Sequence, residues 1–147
     1  MEVKKTYYES GNIKTEEVFE NDKRNGLNKW FYENGRLEAE VEYKDGKREG
    51  YYKSYYENGS IWRKTTYRED LQTGKTIWYY ENEVVAAILE FKNGFEDGEA
   101  QWFYESGKIK LIEHYKRGKL DGECIAFKEN GNLYYKEEYK NGKKISS

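Results

Sequence analysis

Tyr55-Tyr56-Glu57-Asn58-Gly59 decides the fold, because the chain repeats it. Counterparts begin at Tyr7, Phe31, Tyr79, Phe103 and Phe127, each 24 residues from the next with no insertion. Numbering each unit from that first aromatic, position 1 is always Tyr or Phe and position 3 is always Glu, from Glu9 to Glu129. Position 7 is Ile13, Leu37, Ile61, Val85, Ile109 and Leu133, always branched and apolar. Position 13 is Phe19, Tyr43, Tyr67, Phe91, Tyr115 and Tyr139. Position 20 is Gly26, Gly50, Gly74, Gly98 and Gly122, with Ser146 in the last unit. A fixed period of this size marks a tandem array of one supersecondary unit.

The spacing says which unit. Apolar positions 1, 7, 9 and 13 differ by even numbers and no helical i, i+3, i+4 pattern competes, so strands are expected. Aromatic and β-branched residues fill the runs, glycine punctuates them, and proline, which would break a ladder, is absent. Each unit reads as an antiparallel hairpin, one strand over positions 21–2 and the other over positions 6–14. Its first turn is Glu-Asn-Gly or Glu-Ser-Gly. Ser10 and Ser106 stand in the Asn place, and serine tolerates positive φ poorly, which disfavours a two-residue type I′ turn. A three-residue loop with only its glycine left-handed is expected instead. The stretches Gly94–Gly98 and Gly118–Gly122 read as the connections to the next hairpin. On that reading positions 1, 7, 9 and 13 share one face. The other face carries Trp30 with Tyr32, Trp78 with Tyr80, and Trp102 with Tyr104, joined by Trp62, Ile88 and Ile112.

The stretch Tyr43-Lys44-Asp45-Gly46-Lys47-Arg48-Glu49-Gly50, followed by Tyr55-Tyr56-Glu57-Asn58-Gly59, resembles the MORN repeat (membrane occupation and recognition nexus) in its bacterial variant form. The resemblance covers residues 7–145. It implies an all-β, elongated, twisted antiparallel sheet of six hairpin repeats, a single-layer array over residues 1–147 with units starting at 7, 31, 55, 79, 103 and 127. It also implies scaffolding, oligomerisation or lipid contact, and an antitoxin-like role as the immunity partner of a toxin. Asp22 and Asp70 in the second turn, and Glu83 in place of the left-handed glycine, depart from the pattern.

Composition narrows the function. Charged residues make up 37% of the chain and apolar ones 36%, a balance typical of disorder. Sixteen Tyr, six Phe and four Trp argue for a folded chain. The net charge is −2, and residues 1–74 and 75–147 each carry one acidic side chain more than basic ones. Nucleic-acid binding needs a concentrated basic footprint, so no nucleic-acid partner is expected. One cysteine, Cys124, allows no intrachain disulfide. With a single His and a single Cys, zinc ligation lacks donors, and the position-3 glutamates stand a unit apart, too far to gather round calcium. No cofactor or metal is expected. His114 reads as a solvated strand residue, Cys124 as a passive thiol, and the glycine-rich stretches as turns with no helix to aim at a phosphate. No enzymatic activity is expected. No apolar run reaches the length of a membrane span and no apolar leader follows Met1. A cytoplasmic protein is expected, with export after loss of a leader as the alternative.

What needs an explanation is apolar surface, because a single-layer sheet hides at most one face. Trp62, Trp78, Tyr80, Ile88, Trp102, Tyr104 and Ile112 are the candidate partner-binding residues, the partner being a toxin or a second copy. The tryptophan–tyrosine pairs have a second reading as ladders that stiffen the sheet. Ile88 and Ile112 stand where other units carry Glu16, Glu40, Lys64 and Lys136. The alternative function is a peripheral anionic-lipid module using the turn edge of Lys44, Lys47, Lys116 and Lys119, with membrane contact weak or absent.

Overall fold

The computed structural model describes residues 1–146. Its contacts gather into two compact units, Met1–Leu71 and Gln72–Ser147. Both are all-β. The first contains β1 (Glu2–Tyr7), β2 (Ile13–Glu20), β3 (Lys23–Arg24), β4 (Gly26–Phe31), β5 (Leu37–Lys44), β6 (Lys47–Tyr55) and β7 (Ile61–Arg68). The second contains β8 (Leu71–Tyr79, which begins at the boundary), β9 (Val85–Lys92), β10 (Phe95–Phe103), β11 (Ile109–Lys116), β12 (Lys119–Leu120), β13 (Gly122–Phe127), β14 (Leu133–Lys140) and β15 (Lys143–Ser146). Within each unit the strands pair antiparallel in chain order, with the two-residue β3 and β12 as side branches on β2 and β11. The packing between strands is mainly between sheet neighbours.

The first turn is the expected three-residue loop. Tyr8 N donates to Asn12 O at 2.8 Å and Gly11 N to Tyr8 O at 2.9 Å, with Gly11 at φ 92°, and the pattern recurs at Tyr32, Tyr56, Tyr104 and Lys128. Asparagine also helps hold it: Asn34, Asn58, Asn82 and Asn130 each accept the N–H two residues on, at 2.9–3.1 Å, where Ser10 and Ser106 reach only 3.4 Å. Glu83 does not rearrange its loop. Its N–H still bonds Tyr80 O at 2.9 Å, and the residue takes the left-handed φ of 70° that glycine takes elsewhere.

The second turn corrects the sequence reading. It is a two-residue loop with positive φ at both residues, such as Asp45 at 49° and Gly46 at 84°, closed by the directly opposed pair Lys44 and Lys47. Asn21-Asp22, Glu69-Asp70 and Arg117-Gly118 adopt the same geometry. The following strand therefore starts near position 17, not 21, and the position-20 glycine sits in a bulge inside it, not in the turn. Gly50, Gly98 and Gly122 have φ of 118–119° there. Each bulge glycine lies opposite the position-13 aromatic of the next strand, as in Gly50 with Tyr67 and Gly98 with Tyr115.

A further bulge changes the faces. Tyr7 pairs with Ile13 but Thr6 pairs with Thr15, so Lys14 is an extra residue; the same shift recurs at the corresponding place of β4, β6, β8, β10 and β13. Directly opposed residues share a face. Position 9 therefore joins position 24, as in Trp30 with Ala39 and Trp78 with Ala87. The expected grouping of positions 1, 7, 9 and 13 is wrong: 9 and 13 belong to the tryptophan face, and 1 and 7 to the other.

The tryptophan face is the packed one. In the second unit Ala87, Leu89 and Ala100 are buried beneath Trp78, Phe91, Trp102 and Tyr115. In the first, Asn28, Ala39 and Val41 are buried on the same face, and Asn28 is satisfied through its bonds to Val18 N and Gly26 O. Small residues stay low, and neighbouring rings extend over them to exclude water. Burying a side chain such as Leu89 in this way stabilises the unit by about 2 kcal/mol.

Candidate functional site

On the open face, opposite the packed one, position 23 of one strand lies against position 10 of its neighbours. In the first unit this row runs Lys5, Glu16, Lys29, Glu40, Lys53, Lys64, and opposite charges face each other until the last pair. In the second unit the same row runs Ile77, Ile88, Gln101, Ile112, Ile125, Lys136. One register therefore carries two chemistries, a charged ladder and an isoleucine ladder. The four isoleucines are half-buried by their neighbours within the sheet. No helix lies over them, since the described residues contain none.

Next along the strands, two residues on from position 23 and three back from position 10 across the bulge, is the row of positions 1 and 7: Tyr79, Val85, Phe103, Ile109, Phe127 and Leu133. Together the two rows make an apolar strip on the second unit, interrupted in one row by Gln101 and ending there at Lys136. On its other side lies the row Lys75, Glu90, Glu99, His114, Glu123 and Glu138, predominantly acidic. Glu99 is held by Gln101 Nε2 at 2.9 Å and stands 3.4 Å from His114 Nε2, while His114 Nδ1 meets Glu123 O at 2.9 Å. Both imidazole nitrogens thus have partners in the sheet.

The structure separates the residues expected to act together. Ile88 and Ile112 lie in the strip. Trp78, Tyr80, Trp102 and Tyr104 lie on the packed face, and Trp62, from the first unit, stands at the bulge beside Tyr56 with ring centroids 6.2 Å apart. The position-2 tyrosines act as fasteners between repeats: Tyr80 Oη donates to Phe103 O at 2.6 Å and Tyr104 Oη to Phe127 O at 2.7 Å, as Tyr8 and Tyr32 do in the first unit. Trp102 Nε1 donates to Glu113 at 3.0 Å. Tyr80, Trp102, Leu111 and Glu113 wall a slot of about 320 Å³. Its first-unit counterpart, walled by Trp30, Tyr43 and Tyr52, holds about 340 Å³.

Ile77 and Ile125 escaped the sequence reading because it set position 10, and with it Ile88 and Ile112, on the opposite face; the bulge brings them into one row. A signal for it was present, since positions 24 and 9 trade bulk: Trp30 opposes Ala39, Trp78 opposes Ala87, and Ala126 opposes Tyr135. The lysines split as well. Lys44 and Lys47 face each other across a turn of the first unit, and Lys116 and Lys119 across one of the second, all exposed. Cys124 is buried, and burial pushes its thiol above the usual range. No group of three or more His, Cys, Asp or Glu side chains able to hold a metal gathers among the described residues.

No curated protein matches the chain. Among solved structures it is similar to a chain of the crystal structure of the GtfA/B complex bound to UDP and GlcNAc, at 9% identity and a TM-score of 0.31. That likeness covers 76% of this chain and 22% of the other, so the present chain spans about a fifth of that one's length. The MORN repeat variant family matches at residues 3–21, 24–45, 48–69, 72–93, 96–117 and 120–141. Those six matches follow the 24-residue period and the two alternating turns, so the chain belongs to the MORN repeat variant family.

Proposed function

We propose that the chain is a non-enzymatic repeat scaffold that binds a protein partner through the open face of its second unit. The observation that carries this reading is the isoleucine row, Ile77, Ile88, Ile112 and Ile125, in the register that the first unit fills with Lys5, Glu16, Lys29, Glu40, Lys53 and Lys64. The first unit folds with charges there, so isoleucine is not required to build the sheet. A contiguous exposed apolar patch of several hundred Å² marks a contact surface. An immunity-type role toward a toxin is one form such binding takes. The tryptophans and position-2 tyrosines are accounted for by packing and by bonds between repeats.

The test is Ile88→Lys combined with Ile112→Glu. The expected outcome is an unchanged circular dichroism spectrum and loss of partner capture from the source cells. Unfolding of this variant would mean that the row is core, and a milder pair, Ile88→Thr with Ile112→Thr, would then lose stability as well. Intact binding would place the contact elsewhere, on the Trp30, Trp78 and Trp102 face or, if vesicles containing anionic lipid were bound through Lys116 and Lys119, on the turn edge.

A further inference from the structure

The shape and charge of the strip restrict what can lie on it. It runs across the strands, with successive residues on neighbouring strands about 4.8 Å apart, so its six-strand row spans about 24 Å. Its two rows lie about 7 Å apart along the strands. An extended segment laid along such a strip would rest on a sheet face, where its own N–H and C=O groups find no ladder to join. A helix satisfies its backbone internally. About 16 helical residues span 24 Å, and a helix is about 10–12 Å wide, close to the width of two rows with their side chains. A second copy fits less well: the strip offers about 300 Å², taken as its length times that width, against about 800 Å² per partner in a stable interface.

Charge adds a second restriction. Along one border run Glu90, Glu99, Glu123 and Glu138, with Lys75 and His114 among them. Beyond the other border the loops expose Glu81, Glu83, Glu105 and Glu129, against Lys108 and Lys128. The two borders of the strip are therefore both predominantly acidic. We infer that the occupant is an amphipathic, basic α-helix of a protein partner, about four turns long, whose apolar stripe seats on Ile88 and Ile112 and whose lysines or arginines flank it. This inference rests on the strip being the partner site.

The probe is a pair of labelled 16-residue helical peptides, both with leucine at i, i+3, i+4 and i+7 spacing, one flanked by lysine and its twin by glutamate. Their binding to the full chain is read by fluorescence anisotropy at low and high salt. The lysine peptide is expected to bind at least tenfold tighter than its twin, more weakly as salt rises, and not at all to the Ile88→Lys, Ile112→Glu variant. Glu99→Lys with Glu123→Lys, both at exposed sites, is expected to reverse the preference. Equal binding of the twins, a preference that survives the charge reversal, or no binding of either peptide overturns the inference. A photo-crosslinker at position 112 separates that failure from the failure of the site. If it still captures a protein in cells when no helix binds, only the helix is wrong, and if it captures nothing, both readings fall.

Discussion

Glu83 shows how far a single residue can depart from the repeat without altering it. Five units place glycine at this left-handed position, and the fourth holds the same loop with a glutamate at φ 70°. A side chain there costs on the order of 1 kcal/mol, so Glu83→Gly is expected to stabilise the protein by about that amount in a denaturant titration. Asp70 occupies another left-handed site and receives bonds from Arg48 N at 2.8 Å and Arg48 Nε at 2.9 Å, while the same guanidinium stacks on Tyr67 at 4.2 Å. The Arg48 backbone N–H first, and its side chain second, hold the Asp70 carboxyl below its usual range. The unfolded chain then binds a proton at Asp70 more readily than the folded one. This contribution is complete above the ordinary carboxylate range and is lost as pH falls through it. Stability measured from pH 6 down to pH 3 should therefore fall less steeply in Asp70→Asn than in the parent. The left-handed glycine of the first loop was legible in the sequence, since its Ser variants excluded the alternative turn. The geometry at Asp22 and Asp70 was not, because neither residue type demands it.

At the scale of the strand, the position-20 glycine matters for the bulge. A β-carbon at Gly98 would come within 2.8 Å of Glu90 Oε2, and at Gly50 it would collide with Glu42, both at φ 119°. Glycine is the one residue that takes this backbone freely. Gly98→Ala is expected to destabilise the protein by about 2 kcal/mol, read as a lower denaturation midpoint. Strand type, hairpin order and the 24-residue period could be read from the sequence because aromatics and glycines mark them. Which face each residue takes could not be read by counting alone. The bulge at Lys14 and its equivalents inserts one residue, and a one-residue slip moves everything beyond it to the opposite face. That slip placed Ile88 beside Trp78 in the sequence reading, when its neighbours on the face are Ile77 and Gln101.

At the scale of the whole molecule, six copies of one hairpin carry two different open-face rows. Both units build the packed face from rings over small residues, and both fasten neighbouring repeats with tyrosine hydroxyls and turn amides, as in Gly46 N to Arg24 O and Gly118 N to Glu96 O, each at 2.8 Å. They differ on the open face, where one presents a charged row and the other isoleucines between acidic borders. Adjacent residues test binding through that second open face, because Leu111 faces the packed side and Ile112 the open one. The measurement places a photo-crosslinking amino acid at 111 in one protein and at 112 in another, and compares capture in living cells. A specific adduct is expected from position 112 and is absent, or at least tenfold weaker, from position 111. Equal capture from both positions, or capture from 111 alone, would contradict it.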